Sequence, residues 1–448
     1  MAKGERKVTW WEFAAFAAPA APLTAMTLPS TIFLPPHFAT HLGIPLSIVS
    51  AIFIGVRMLD IIVDPGIGNF QDRTHVPLGR RRFWMLVGLP FIMAALWFSY
   101  IGLWPHVPVW IAAAAIVFLF VSYAVMAIAH MAWAGELIPT YHGRTHVLGA
   151  VQVASMIGSS LMLIVAGYVA LRWKSDVLAV YAMGWTIIAL MPITVLACVS
   201  LVREAPRPPQ PHLTIWQTLS TLARNKLAQR VLLPDLLLGF AQGISGGLFI
   251  FYFEFVLGFR HQTQTLLAIY FLSGLAGVPI WWFVARKLGK HRTLQLVLIY
   301  GVLTTALLSQ MPRENFTIVA PFMFLAGLPF GGGTLLTRSL MADVVDEDEA
   351  KTGARRSGIY FGILLTTSKV GIALGPVTYI ALDLAGFRPG EGAQNAAPAL
   401  DMLTMLFIGG PMLLYLLAAI SLRKYPLDEK RQAELAATIA ARHAAADN

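Results

Sequence analysis

Charged side chains are scarce in this sequence. They make up 12% of the 448 residues, about half the share found in an average soluble domain. Hydrophobic residues make up 57%. They recur in about twelve runs, each near the roughly 20 residues that an α-helix needs to cross a bilayer. The composition excludes a soluble globular protein and predicts an all-α polytopic membrane protein with twelve transmembrane helices.

Residues that mark catalytic or metal sites are also missing. The single cysteine, Cys198, lies in an apolar run and excludes an intramolecular disulfide. No histidine and cysteine cluster has the spacing of metal ligands, and no Ser-His-Asp arrangement can be argued. Gly331 to Gly333 are followed by no lysine, so they do not predict a phosphate-binding loop. We therefore expect no catalytic residue, no metal site and no cofactor.

Basic residues outnumber acidic ones, with a formal net charge of +10. They lie in short loops between the apolar runs, which indicates membrane topology rather than nucleic-acid binding. By the positive-inside rule the basic loops are cytoplasmic, and the span count then places both termini in the cytoplasm. The apolar run after the N-terminal residues is too long for a cleaved signal peptide. We expect a multi-pass protein of a bacterial inner membrane.

The chain is expected to consist of two halves joined by a proline-rich linker. The predicted parts are an N-terminal six-helix half (1–202), a cytoplasmic linker (203–230), a C-terminal six-helix half (231–422) and a cytoplasmic tail (423–448). The basic loop around Arg80, after the second run, has a counterpart around Lys290, after the eighth. Two repeated halves of this kind resemble the major facilitator superfamily, which implies a solute site near the bilayer midplane.

Two aspartates stand inside the apolar run from Ile52 to Ile67. Ionised groups at bilayer depth are costly unless paired or hydrated, so Asp60 and Asp64 predict a functional site. Their spacing places both carboxylates on one helix face. Two such carboxylates cannot both ionise cheaply without a cation between them, which predicts binding of H⁺ or Na⁺. The alternative is a purely structural pair between Arg57 and Asp60.

Motifs in both halves carry a closer resemblance. They are Arg57-x-x-Asp60-x-x-x-Asp64-Pro65-x-x-Gly68-x-x-x-Asp72-Arg73-Thr74 with Gly79-Arg80-Arg81-Arg82, Gly135-Glu136-Leu137 through Arg144-Thr145, Met341-Ala342-Asp343-Val344-Val345-Asp346, Lys351-Thr352-Gly353-Ala354-Arg355-Arg356, and Lys369-Val370-Gly371. Together they resemble the melibiose permease-like glycoside-pentoside-hexuronide:cation symporter family. The resemblance implies a monomeric, cation-coupled symporter of a small organic solute that works by alternating access and is not an enzyme.

The resemblance also assigns roles to residues. Asp60 and Asp64 would bind the cation, while Lys369 and Arg57 would couple cation occupancy to solute binding. A lysine within the eleventh span needs a carboxylate partner or must lose its proton; the alternative is that Lys369 extends to a membrane surface. The implied cytoplasmic gate, for which solubilising loop charge is the alternative, comprises Asp72, Arg73, Arg144, Asp343, Asp346, Arg355 and Arg356.

Departures from the family pattern bear on the solute. No acid lies between Glu12 and Asp60, so Thr24 stands near a position where the family has an aspartate, and Gln152 replaces a frequent arginine. We predict solute contacts from Thr24, Gln152, Tyr123 and Trp133, the last of which could instead anchor the helix at the membrane interface.

Prolines interrupt the first span and predict a kinked, cavity-lining helix. The apolar character of this span would suit an aryl glycoside or an amphiphile. The family resemblance implies that the solute is a glycoside or other sugar-containing compound. A lysolipid-like solute and a membrane sensor that does not transport are the alternatives. The missing acid also tilts the coupling ion towards H⁺, with Na⁺ left open.

Overall fold

The computed structural model describes residues 9–137, 141–204, 225–260, 262–352, 357–390, 393–423, 425–426 and 434. Throughout this part of the chain the regular secondary structure is helical, without a β-strand. The predicted all-α class is confirmed.

Contacts between Cα atoms divide the chain into two compact units. The first contains residues 1–210, 261–265 and 388–394, and the second contains residues 211–260, 266–387 and 395–448.

The helices that lie entirely in the first unit are α1 Trp10–Ala17, α2 Ala20–Ile32, α3 Leu34–Thr40, α4 Leu46–Arg73, α5 Arg80–Trp97, α6 Val109–Leu137, α7 Tyr141–Trp173 and α8 Asp176–Leu201. The remaining helices are α9 Lys226–Phe251, α10 Thr263–Leu288, α11 Lys290–Leu308, α12 Phe316–Thr352, α13 Ser357–Leu374, α14 Val377–Leu384, α15 Ala397–Thr404 and α16 Gly410–Ser421. Short π-helical segments extend α5 and α9 and join α15 to α16.

The lengths of these helices match membrane crossings. Within the described residues, ten helical segments are long and apolar enough to span a bilayer, and the bent pair Trp10–Ile32 and Leu34–Thr40 makes an eleventh. The 28 residues of α4 extend about 42 Å at 1.5 Å per residue, which is enough for a further span. These helices together account for the twelve predicted spans.

The first span is bent by 43° between Ile32 and Leu34. Pro29 lies inside α2, and prolines occupy the first turn of α3. Proline has no backbone N–H and its ring clashes with the preceding turn, so an uninterrupted helix cannot form here. The predicted kink is confirmed.

Apolar side chains form a separate core in each unit. The first core contains Phe16, Trp133, Val147 and Cys198, all fully or almost fully buried. The second contains side chains from α9, α11, α12, α13 and α16, among them Leu294 and Tyr360. The buried environment of Cys198 agrees with the expectation that it lies in an apolar run.

Candidate functional site

An ion pair within α4 forms the centre of the candidate site. Nη1 of Arg57 lies 3.5 Å from Oδ2 of Asp60, and the two side chains are only 20% and 13% exposed. The spacing of three residues places both groups on one helix face. A strong charged hydrogen bond measures about 2.8 Å, so this pair is loose.

Arg57 also contacts the two helices beside α4. Its Nη2 donates a hydrogen bond to Oγ1 of Thr31 on α2, at 3.3 Å. Its Cζ lies 4.3 Å from the ring centroid of Phe120 on α6, within the distance of a cation–π contact. The guanidinium thus links α2, α4 and α6. Thr31 and Phe120 were not predicted as site residues, because their role depends on which helices pack together.

Two more predicted residues lie near the same guanidinium. Asp64 and Tyr123 both lie close enough to Arg57 for electrostatic interaction with its guanidinium. Asp64 lies one turn beyond Asp60 on α4, and Tyr123 lies one turn beyond Phe120 on α6. The structure therefore brings four predicted residues together: Arg57, Asp60, Asp64 and Tyr123. Two carboxylates and nearby hydroxyls supply oxygen ligands, which suit a proton or a hard cation such as Na⁺.

A second polar contact joins α2 to α7. Oγ1 of Thr24 donates a hydrogen bond to Oγ of Ser155 at 2.9 Å. Gln152 lies three residues before Ser155 on α7 and is exposed. The predicted solute residues Thr24 and Gln152 are thus near neighbours through Ser155. The sequence analysis did not include Ser155, although its spacing from Gln152 already placed the two on one helix face.

Trp133 lies apart from this group. It is fully buried, and its ring centroid is 5.3 Å from that of Phe16 in an edge-to-face contact. His130, one turn earlier, forms a 2.8 Å hydrogen bond with the carbonyl of Phe16. Ten residues of α6 separate Trp133 from Tyr123, about 15 Å along the helix. In this conformation Trp133 packs in the first core, so contact with a solute would require it to become exposed.

Lys369 lies on α13 in the second unit. Its side chain is exposed, and the same face of the helix carries Gly362, Thr366 and the exposed Leu365. The face thus combines small, polar and apolar residues. The position of Lys369 at a polar cavity stays a prediction.

The charged residues of the predicted gate are only partly described. In the second unit, Nζ of Lys290 on α11 lies 2.6 Å from Oδ1 of Asp343 on α12. Asp346 is half-buried on α12, and Arg73 is exposed at the end of α4. Arg355, Arg356 and the side chains of Asp72 and Arg144 lie outside the described residues.

Glu204 is a further charged residue that the sequence analysis did not single out. Its Oε2 accepts a 2.8 Å hydrogen bond from the backbone N–H of Arg81, at the start of α5. Nε of Arg82 in turn donates to the carbonyl of Val199 near the end of α8, at 2.9 Å. These contacts satisfy backbone groups at two helix ends. They give the Gly79-Arg80-Arg81-Arg82 motif a structural role in joining α5 to α8.

Asp235 is the acid most clearly missed by sequence reasoning. It lies on α9 and is 6% exposed. Its Oδ2 accepts a 2.6 Å hydrogen bond from Oγ of Ser368, the residue before Lys369. The available signal was an acid inside a predicted span, the same signal that identified Asp60.

Comparison with known proteins places these observations in context. Residues 15–429 match the model of a family described as MFS/sugar transport protein. The inner membrane symporter YicJ of Escherichia coli (strain K12) is 26% identical over 392 residues, which cover 86% of this chain and 84% of YicJ. The putative glycoside/cation symporter YagG of the same organism is 22% identical over 410 residues, which cover 90% and 89% of the two chains.

A partial match involves a lipid symporter. The human sodium-dependent lysophosphatidylcholine symporter 1 is 30% identical over 191 residues, which are 42% of this chain and 34% of that protein. The matched part thus spans about a third of the human protein's length. Among solved structures, the nucleoside transporter NupG has a TM-score of 0.65 at 14% identity, and the match covers 93% of this chain and 100% of that one. At this identity the likeness concerns the fold alone, and it agrees with the predicted major facilitator fold.

Proposed function

Since the chain belongs to the MFS/sugar transport protein family, we propose that it is a cation-coupled symporter that moves an organic solute across the membrane by alternating access. The observation that carries this proposal is the loose Arg57–Asp60 pair beside Asp64. The chain is a membrane transporter rather than an enzyme. The proposed setting is a bacterial inner membrane, with both termini in the cytoplasm and the protein as a monomer.

The first step of the proposed mechanism is cation binding. Before a cation arrives, Arg57 offsets part of the negative charge on Asp60 and Asp64, which makes their burial tolerable. A proton or Na⁺ that binds these carboxylates competes with Arg57 for Asp60. The guanidinium is then free to shift towards its other contacts, Thr31 and Phe120.

The second step links the cation to the solute. Because Arg57 contacts α2 and α6 as well as α4, a change in its partner alters how these three helices interact. Cation and solute each favour the same conformational state, so each raises the affinity for the other. In this scheme Lys369 senses cation occupancy from the second half, and the charged cytoplasmic residues favour one access state until they separate.

The proposed solute is a glycoside or another sugar-containing compound. YagG and YicJ match this chain along most of its length, and the name of YagG refers to glycosides. Thr24, Ser155, Gln152 and Tyr123 supply hydroxyl and amide groups that can bind sugar hydroxyls.

A lysolipid-like or other amphiphilic solute is the second candidate. The partial match to the human lysophosphatidylcholine symporter favours it, as does the lack of any acid between Glu12 and Asp60. A sensor that binds its ligand without transport would retain its ligand response when Asp60 and Asp64 are neutralised.

The test is reconstitution in liposomes with interior pH and Na⁺ indicators. Glycosides and lysolipids are added one at a time, and the Asp64→Asn variant is run beside the original protein. Asp401→Asn is a matched control, because Asp401 is an exposed acid on α15, a helix of the second unit. We expect a cation flux that requires both a glycoside and Asp64. Solute flux that is unchanged in Asp64→Asn and independent of any cation gradient would overturn the coupling proposal.

A further inference from the structure

Helices α9 and α13 contact each other along one line. On α9 the contacts recur at every fourth residue, and α14 continues the line. We call this line the α9–α13 seam. It consists of Asp235, Gly239, Gly243 and Gly247 on α9, which face Ser368 and Gly371 on α13, Gly375 directly after the end of α13, and Tyr379 on α14.

The glycines of the seam bring two backbones into direct contact. A Cβ atom on Gly239 would lie 2.7 Å from the carbonyl oxygen of Ser368, and one on Gly243 would overlap that of Ile372. In the other direction, a Cβ atom on Gly371 would overlap the carbonyl oxygen of Leu236. Close approach of this kind is how helices pack in membranes, where small residues replace a hydrophobic driving force. The packing leaves α13 little freedom to slide or rotate against α9.

Hydrogen bonds mark both ends of the seam. At one end the hydroxyl of Tyr379 donates to the carbonyl of Gly247 at 2.9 Å. At the other end Oγ of Ser368 donates to Oδ2 of Asp235 at 2.6 Å. A hydrogen bond to a carboxylate is stronger than one between neutral groups. The contact between Asp235 and Ser368 is therefore the stronger of the two hydrogen bonds at the ends of the seam.

Asp235 also lies near a third helix, α12. The charge of Arg338 on α12 acts on its carboxylate, whereas the hydroxyl of Thr337 donates a hydrogen bond to the carbonyl of Thr334 in its own helix. A buried carboxylate is expensive at membrane depth. The rest of the seam packs without any charge, so packing alone does not call for an acid at position 235.

Lys369 immediately follows Ser368 in the chain. It thus lies between two seam contacts, those of Ser368 and Gly371, while its own side chain is on the exposed side of α13. We propose that Asp235 is a positioning residue: by holding Ser368 it fixes the register of α13 and hence the place of the Lys369 ammonium. This inference rests on the proposed coupling role of Lys369. It adds an acid of the second half to the coupling machinery.

The first experiment compares Asp235→Ala, Asp235→Asn and Ser368→Ala in liposomes, with the cation concentration for half-maximal transport measured separately from the KM for solute. We expect both alanine variants to raise the half-maximal cation concentration by about 10-fold, as for loss of a hydrogen bond to a charged group. The solute KM at saturating cation should stay unchanged. Asp235→Asn should behave like the original protein, since its amide oxygen can still accept from Ser368.

The second experiment places Asp235→Ala and Ser368→Ala in a Lys369→Ala background. If Asp235 acts through Lys369, neither substitution changes the cation dependence any further. A further change of similar size in that background would overturn the inference and assign Asp235 a general structural role. If instead Lys369→Ala alone leaves the cation dependence unaltered, the coupling role of Lys369 itself is wrong, and with it that part of the proposed function.

Controls separate positioning from folding. Ser368→Ala removes a single hydroxyl group, so it tests the contact even if Asp235→Ala does not fold. Thr367→Ala is its matched control, because the Thr367 hydroxyl donates to the carbonyl of Ile363 in its own helix. This variant should leave the cation dependence unchanged. An effect of Thr367→Ala equal to that of Ser368→Ala would contradict the proposal.

Discussion

The guanidinium of Arg57 lies 3.5 Å from the carboxylate of Asp60, one turn away on the same helix. The same guanidinium reaches Thr31 on α2 and Phe120 on α6. One side chain therefore connects the predicted cation site with two neighbouring helices. This relationship gives a physical route from cation binding to a change in helix packing.

The first prediction concerns Arg57→Gln. Arg57 competes with the coupling cation for Asp60. Without this positive charge, the affinity for the coupling cation should rise by about 10-fold. Solute-driven cation flux should fall, because the link to α2 and α6 is lost. Cation binding is measured by calorimetry on the purified protein and flux in liposomes. Arg172→Gln, at an exposed arginine near the end of α7, is the control; equal effects of the two variants would contradict the prediction.

The second prediction concerns the hydrogen bond between Thr24 and Ser155. If these residues bind a sugar, Thr24→Val and Ser155→Ala should each raise the KM for a glycoside by about 5-fold, as for a lost neutral hydrogen bond. Because the two hydroxyls share one hydrogen bond, the double variant should show less than the product of the two effects. The measurement is the concentration dependence of glycoside uptake. An unchanged KM for the glycoside, together with transport of lysolipids, would favour the amphiphile.

The third prediction concerns the buried Asp343, which pairs with Lys290. Asp343→Asn removes the negative charge that pairs with Lys290. This substitution should lower the free energy of unfolding by about 1–3 kcal/mol. The loss is smaller than for a fully buried pair, because Lys290 is partly exposed. Adding Lys290→Gln should recover part of the loss. Thermal unfolding in detergent measures both. Lys351→Gln disrupts the exposed pair with Glu347 and should cost under about 0.5 kcal/mol; a comparable loss there would refute the argument.

The fourth prediction concerns the α9–α13 seam. In Gly243→Ala the new methyl group would overlap the carbonyl oxygen of Ile372, so the helices must separate. The cost should be about 1–3 kcal/mol, as for an overpacked core. A Cβ atom on Gly362 meets nothing within 4 Å, and Gly362→Ala, on α13, should be neutral or slightly stabilising. The unfolding temperatures of the two variants are compared. Equal temperatures would contradict the close packing of α9 against α13.

Several features follow from local properties of the sequence. Run length and low charge predicted the membrane-spanning helices, because a bilayer requires about 20 apolar residues in each helix. The prolines near Pro29 and Pro35 predicted the bend of the first span, because a proline within a helix removes a backbone hydrogen bond and clashes with the preceding turn. Asp60 and Asp64 stood out because an acid within an apolar run is costly in any fold. Each of these inferences needs only the identity of nearby residues.

The tertiary structure decided which residues meet across helices. Three contacts join positions far apart in the chain: Arg57 with Thr31, Thr24 with Ser155, and Asp235 with Ser368. In a membrane, such partners depend on how closely two particular helices approach. Trp133 shows the same limit. A tryptophan near a helix end is compatible with a solute contact or with an interface anchor, and the structure was needed to show that Trp133 packs against Phe16. Local chemistry thus identified the ionised groups and the spans, whereas the choice of partners depended on helix packing, which no short stretch of sequence encodes.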